Sequence, residues 1–334
     1  MEFTVLEQFS DELKEDWNQL LAQSTPHVPF LRFEYLRAWW QFRGGGEWPQ
    51  ETRLALICAH EAGRLVGIAP CFIAQHEGET RLLLLGSIEI SDYLDLISKI
   101  EDRKRFIEGL ITFVRSQPPQ LAGVHGLDFY NLLEDSPSLT VFQSMPQVKV
   151  EMLQHSPYIH LPGDWETYLA GIDKKQRHEI RRKMRRAAEA DPAAEVYITA
   201  DAGQLEVDME AFLALMAQDE EKAAFLTPPM RDQMKEIVRC AFAGGCLMLA
   251  FLKIGGEIGA GYLNFDYLNR IWVYNSGVDR RFMEYSPGWV LLGHLLQWAN
   301  EQKRSELDFM RGDEEYKYRF GAVDRHVMRV TVAP

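Results

Sequence analysis

The sequence predicts a mixed α/β (α+β) protein made of two similar halves, each a mixed, mostly antiparallel sheet flanked by helices. Three observations carry that prediction. The first is a β-hairpin that occurs twice. It reads 53–60 (RLALICAH), Glu61-Ala62-Gly63-Arg64 and 65–74 (LVGIAPCFIA), then 247–254 (LMLAFLKI), Gly255-Gly256-Glu257 and 258–266 (IGAGYLNFD). The second is the run of elements after each hairpin: another strand, a helix, and a strand carrying Leu-Asp-Phe. In the first half the helix is read at 102–117 and the tripeptide is Leu127-Asp128-Phe129; in the second they are 289–302 and Leu307-Asp308-Phe309. One order of elements written twice marks a duplicated unit. The third is length, since 334 residues exceed the roughly 100–200 of a single domain.

Between the halves, residues 154–165 are rich in proline and aromatic side chains and lead into a long helix read at 164–190. The boundary therefore falls near 155, giving an N-terminal domain 1–155 and a C-terminal domain 156–334. A hydrophobic fraction of 46% excludes intrinsic disorder. The net charge of -13 argues against a general nucleic-acid coat, which would carry a basic surplus. No apolar run is long enough to span a bilayer, and the first residues form no secretory signal, so a cytoplasmic protein is expected. Four cysteines (Cys58, Cys71, Cys240, Cys246) lack metal spacing and sit among apolar neighbours, as buried reduced thiols do.

Four segments could carry chemistry. In the first, Ser286-Pro287-Gly288 opens an apolar helix after a β-rich stretch, with Ser as cap, Pro at the first position, and Gly leaving the first-turn amides uncovered. Such a terminus suits a pyrophosphate, and Arg280 and Arg281 just upstream could add charge-assisted contacts; an ordinary capped helix has the same pattern. In the second, Leu307 through Lys317 (LDFMRGDEEYK) places Arg311, Gly312 and Asp313 at the end of a strand. Asp308, Asp313, Tyr316 and Lys317 there offer a base, an acid or a carboxylate clamp, or simply a salt-bridged turn. The third segment, 174–186, holds eight basic residues and one acidic. At helical spacing Ile180, Met184 and Ala187 form a thin apolar stripe while Arg177, Arg181 and Arg185 line one flank, which suggests an anionic ligand or a solvated face. The fourth, Ser91-Asp92-Tyr93-Leu94-Asp95, sets two carboxylates three apart to hold an amine or sugar hydroxyls, or to cap a loop. The histidines show no metal spacing, and no GxSxG, P-loop or GxGxxG occurs.

Tyr285-Ser286-Pro287-Gly288 with its apolar helix, followed by Arg311-Gly312-Asp313-Glu314-Glu315-Tyr316-Lys317, resembles the CelD-like (cellulose-biosynthesis) branch of the GNAT acetyltransferase superfamily. The basic helix, Asp92-Tyr93-Leu94-Asp95 and Glu34-Tyr35-Leu36-Arg37-Ala38-Trp39-Trp40 extend the resemblance over nearly the whole chain. It implies tandem GNAT-like domains similar to the Fem-type aminoacyltransferases, and N-acyl transfer from acetyl-CoA to an amine of a sugar, nucleotide-sugar or polysaccharide precursor. It also implies a donor site formed by Arg280, Arg281, Ser286, Pro287 and Gly288 in the second half alone, with no metal. Asp308 or Glu284 would take the amine's proton, and Tyr316 or Tyr285 would serve the leaving sulfur. Asp92, Asp95, Arg177, Arg181, Arg311, Asp313 and Lys317 would hold the acceptor or phosphate. Glu284 and Ser286 stand where the superfamily's loop carries glycines. Two further readings stay open: a Fem-like transferase whose partner is aminoacyl-tRNA, and a non-catalytic binding protein that keeps the fold.

Overall fold

The computed structural model describes residues 1–48, 52–86, 88–190 and 193–333. The chain folds into two compact units, Met1–His155 with Arg325–Pro334, and Ser156–Asp324. In the first unit the strands are β1 (Glu2–Leu6), β2 (Arg53–Glu61), β3 (Arg64–His76), β4 (Glu79–Leu84), β5 (Ile97–Ser98), β6 (Leu127–Leu133) and β7 (Val148–His155). Helices α1 (Lys14–Ala22), α2 (Phe33–Gly46), α3 (Ile100–Arg115) and α4 (Pro137–Gln143) complete it. The chain's last strand, β14 (His326–Val332), returns to insert between β6 and β7, so the sheet runs β1-β2-β3-β4-β6-β14-β7 with β5 on β3. The expected second domain of 156–334 thus loses its last ten residues to the first. Nothing in the hydropathy of β14 says which sheet it joins.

Six consecutive residues of β2, Leu54–Ala59, are buried without alternation. That is the pattern of a strand covered on both faces. The β2–β3 turn holds Ala62 (φ 51°) and Gly63 (φ 76°), two left-handed positions in a row. This is the turn that matches the twist of a two-residue hairpin. Arg103 of α3 is buried and ties its side chain to Asp95 (3.3 Å), Ser24, Ser138 and three backbone carbonyls.

The second unit contains β8 (Tyr158–His160), α5 (Trp165–Gly171), α6 (Lys174–Ala188), β9 (Glu195–Ile198), α7 (Leu205–Met216), α8 (Glu220–Phe225) and α9 (Pro228–Ala243). These are followed by β10 (Leu247–Ile254), β11 (Glu257–Tyr267), β12 (Arg270–Val278), α10 (Pro287–Glu301), β13 (Glu306–Asp308) and α11 (Glu315–Arg319). The sheet order is β8-β13-β12-β11-β10-β9, antiparallel except at β12–β13. Its hairpin repeats the first unit's: Gly255 and Gly256 have φ of 64° and 81°. The long helix expected over 164–190 is two helices. Ile172 is extended and Asp173 caps α6, accepting from the amides of Lys175 and Gln176. No described helix is long and apolar enough to cross a membrane. The cysteines are all free; Cys58, Cys71 and Cys246 are buried, and Cys240 is half-buried.

The sheet is packed on both faces. On one, α10 lies over Ala250, Leu252, Ala260, Tyr262 and Val273. Helix α6 then packs on α10 through Ile180, Met184 and Ala187, the stripe read from the sequence. The helices approach closely because Gly293 has no side chain: a Cβ there would stand 2.9 Å from Met184 Sδ. On the other face α7 crosses β12 at Gly277, where a Cβ would meet backbone atoms of Leu215 and Met216 at 2.7 Å. Backbone cannot move aside as a side chain can. Gly277→Ala should therefore destabilise the protein by about 1–3 kcal/mol through overpacking. A melting midpoint unchanged within a degree would contradict this packing.

Candidate active site

The pairing of β12 sets the geometry of the site. Its first residues, Arg270, Ile271 and Trp272, pair with Glu306, Leu307 and Asp308 of β13, and there β13 ends. The end has a local cause: Asp308 Oδ1 accepts the amide of Met310 at 2.7 Å, and Met310 turns the chain with a left-handed φ of 57°. On its other side β12 stays paired with β11 as far as Val278, with a bulge at Tyr274 between the Leu263–Asn275 and Asn264–Val273 pairs. Bulges sharpen strand twist and re-aim the residues beyond them. The two strands therefore diverge, and the C-terminal half of β12 presents an edge without a strand neighbour.

The ladder tells which groups face that edge. Asp279 donates to Gly259 O at 2.9 Å, so the backbone groups of Asp279, Gly277 and Asn275 point at β11. Those of Ser276 and Val278 point outward. Side chains hold both groups of Ser276: Asn275 Oδ1 accepts its amide at 2.8 Å, and Lys222 Nζ, from α8, donates to its carbonyl at 2.5 Å. Burial pushes the Lys222 ammonium below the ordinary lysine range, opposed by Asp219 and Glu314. Beside this edge the Tyr262 hydroxyl bonds the Ser276 side chain, and burial, with Tyr262 and Glu314 nearby, holds the Tyr316 phenol well above its usual range. Tyr316 packs edge-on against Phe309 with ring centres 5.9 Å apart. Lys317 is buried and binds its own loop, donating to Arg311 O (3.0 Å), Gly312 O (2.9 Å) and Glu314 (2.8 Å). A cleft of about 120 Å³ runs along the edge between Gln218, Asp219, Lys222, Ser276, Val278 and Arg280.

At the C-terminal end of β12 the chain makes a 3-10 turn over Arg280–Tyr285 and enters α10. Pro287 takes the first helical position as expected. Ser286 stands at the cap with φ 52°, but its hydroxyl makes no cap bond, so the first-turn amides lack that partner. Basic side chains from α6 reach this terminus. Lys183 Nζ lies 4.2 Å over the Trp289 ring, and the Arg186 guanidinium is 5.8 Å over Tyr285. Glu284, in the same turn, pairs with Arg186 at 3.8 Å. The basic helix and the Ser-Pro-Gly turn, far apart in sequence, form one positive corner.

Several residues expected in the site are engaged elsewhere. Asp308 is fully buried and spends a carboxylate oxygen on Met310, so it ends a strand rather than facing an acceptor. Both Arg280 and Arg281 are exposed, but Arg281 is held by Asp279 (2.9 Å) and Glu257 (2.7 Å). Arg177 caps α5 through Leu169 O and Ala170 O, and Arg181 pairs with Glu166. Asp95 is buried beside Arg103 and accepts from Ser136 and Leu96 in the first unit, closed to any ligand. Asp92 and Arg311 are half-buried, Asp313 is exposed, and Gly288 keeps room for a ligand but would set a Cβ 3.0 Å from Val278. Among the described residues, His76, Glu77 and Asp128 have metal-ligand spacing, yet Arg329 already bonds both carboxylates.

Sequence reading misses Lys183, Arg186, Lys222, Tyr262, Ser276 and Glu314. Lys183 and Arg186 lie in the basic run, but its rotation about α10 decides which cations reach the loop. Lys222 sits in Asp219-Glu220-Glu221-Lys222, which looks like a solvated helix start. A pH test comes from Asp279. Its bond to Arg281 holds the carboxyl below its ordinary 3.8, so it stabilises the loop above that pH and loses the contribution as pH falls. Asp279→Asn should flatten the acid limb of melting temperature against pH while leaving neutral-pH exposure of Tyr285 unchanged by fluorescence quenching. An identical acid limb would refute the assignment.

Residues 174–318, less than half of the chain, match the family described as acetyltransferase (GNAT) domain. A search of curated protein sequences finds no match. Among solved structures the chain is similar to FemX, at 9% identity and a TM-score of 0.69 over 100% of this chain and 98% of that one. It is similar to a tandem GNAT protein from the clavulanic acid biosynthesis pathway (13% identity, TM-score 0.53, 100% and 98%). It also resembles a GNAT-family acetyltransferase from Colwellia psychrerythraea (13% identity, TM-score 0.50, 99% and 100%). At such identities the likeness is one of fold. The two units share the fold of these structures, and residues 174–318 of the second match the acetyltransferase (GNAT) domain family.

Proposed function

We propose that the protein is an N-acyltransferase that moves an acetyl group from acetyl-CoA to an amine of a sugar, nucleotide-sugar or polysaccharide precursor. The observation that carries the reading is one continuous surface. The positive corner at α10, formed by the helix terminus with Lys183 and Arg186, adjoins the open edge of β12. A helix N-terminus with flanking cations suits a pyrophosphate, and an unpaired strand edge suits an extended arm bearing amides. Glu284 pairs with Arg186 at 3.8 Å, so the acid of the loop has a cation beside it that offsets its charge near a phosphate. Most cations of α6 have partners within the unit, Arg177, Arg181, Arg182 and Arg185 as well as Lys183 with Glu179 and Arg186 with Glu284, so the helix is not a bare basic face of the kind a broad RNA surface needs.

The thioester supplies the activated acyl carbon, and the chain's residues supply position and protons. An amine attacks only when neutral, so a base must stand at the mouth of the cleft. Asp308 is buried and Asp219, which lines the cleft, is occupied capping α8, so we assign the base to Glu314, whose side chain is more than half exposed and is oriented by Lys317. Tyr316, kept protonated by burial, is the acid for the departing sulfur. Arg311 and Asp313, on the same loop, hold the acceptor.

Gly288→Glu should abolish acetyl-CoA binding, because its carboxylate would stand at the first-turn amides, with a small stability loss from the Val278 contact. Lys183→Ala with Arg186→Ala should weaken binding about tenfold, about 1.4 kcal/mol. In the first unit Asp102 does not cap its helix but sits in its first turn and pairs with Arg105, so Asp102→Ala should leave binding unchanged and lower stability by only about 0.3–1 kcal/mol. Titration calorimetry of the four proteins tests the donor site; equal affinity of Gly288→Glu and wild type would sink it.

A further inference from the structure

We propose that Lys222 is a donor-selecting gate: its ammonium occupies the Ser276 carbonyl, the edge group that an acyl carrier's amide must bond, and binding of the carrier displaces it. The inference rests on the donor reading above and deepens it by naming the residue that the donor competes with. Two observations support it independently.

The first is the direction of the carbonyl. Alternation along β12 aims Ser276 O outward, away from β11 and into the gap that β13 leaves by ending at Asp308. Lys222 Nζ meets it there at 2.5 Å. A donor arm extended along β12 from the positive corner passes Val278 and then Ser276. Its amide N–H and the lysine ammonium are rivals for one acceptor.

The second is the lysine's own situation. Lys222 is half-buried in a cleft of about 120 Å³, and among the described residues no carboxylate lies within ion-pair distance of its nitrogen. Its charge is balanced from farther off by Asp219 on α8 and Glu314 after β13. A structural lysine in this position would be expected to close on one of those acids, since a desolvated cation without a partner is costly. Instead it spends its hydrogen bond on a neutral carbonyl and keeps both acids within electrostatic reach. That arrangement gives it a second resting place, toward Asp219 or Glu314, once an amide has taken the carbonyl. A donor whose carrier brings no amide to this depth has nothing to replace the bond with and is disfavoured.

The test compares wild type with Lys222→Ala and Lys222→Met, the latter keeping the aliphatic stem that packs α8. Acetyl-CoA and adenosine 3′,5′-bisphosphate, which lacks the amide-bearing arm, are titrated against each protein by calorimetry. The gate predicts acetyl-CoA binding about tenfold tighter in both variants, with bisphosphate affinity unchanged. An ordinary binding residue would give the opposite sign. If acetyl-CoA affinity stays equal or falls while the bisphosphate still binds, the gate is overturned and the donor site stands. If neither ligand binds any of the three proteins, the donor reading fails and the gate fails with it. Melting midpoints separate these outcomes from misfolding, and Lys222→Met decides should Lys222→Ala not fold.

Discussion

One short contact governs the second unit: the Asp308 carboxylate accepting the Met310 amide at 2.7 Å. A strand next to β12 would normally continue beside it, pairing residue for residue. By taking the amide two residues on, Asp308 ends β13 after three residues and sends the chain into a left-handed turn at Met310. Phe309 then donates to Pro157 O, so the loop is drawn toward β8 and away from β12. Everything offered to a ligand depends on this divergence. Ser276 and Val278 gain an open edge, and the loop that carries Arg311, Glu314 and the buried Lys317 comes to stand across the gap. A carboxylate at full burial is expensive unless it is bonded to fixed donors. Its cost is offset by a bent strand pair that a regular ladder would not give.

An open edge carries its own cost. Backbone groups that lack a ladder partner and cannot reach water cost about 1–3 kcal/mol each. At Ser276 the protein meets this with side chains, Asn275 for the amide and Lys222 for the carbonyl. Such bonds differ from ladder bonds in one respect: each can be given up singly, without unzipping a strand. The edge is therefore stable and still addressable, which an extended donor needs.

Much of this is legible in the sequence, and the rest is not, for definable reasons. The duplicated hairpins can be read because their turns need left-handed residues, which Gly63 and Gly255-Gly256 declare locally, although Ala62, also left-handed, does not. The start of α10 can be read because proline at the first turn is a local signal. The helix over 164–190 reads as unbroken because Ile172 and Asp173 do not look like a break until the side chain of Asp173 is seen capping α6. Burial misleads most. Asp308 and Asp95 have the composition of active-site acids, but only the fold reveals that one ends a strand and the other neutralises Arg103. The face that α6 turns to the loop is set by Gly293 against Met184, a tertiary fact that leaves Lys183 and Arg186 rather than Arg177 and Arg181 beside Trp289 and Tyr285 at the start of α10.

The two units differ most in the charge at the start of the helix that follows the parting strands. In the first unit β4 and β6 are also parallel and also part quickly, pairing only at Leu82 and Leu127. The helix after β5, α3, nevertheless begins in the opposite chemical sense. Lys99 stands at its cap without a side-chain bond, Glu101 and Asp102 fill its first turn, and no glycine opens it. Two carboxylates there satisfy the helix dipole with the charge that a phosphate would otherwise bring. Of its early cations, Arg103 points inward to Asp95 and the surrounding serines, and Arg105 pairs with Glu61 and Asp102. The first unit's helix terminus is thus neutralised from within the chain, whereas the terminus of α10 has no acid in its first turn and borrows its cations from α6. With strands that part early in both units, it is the charge at the helix start that distinguishes them, acidic in α3 and without an acid in α10.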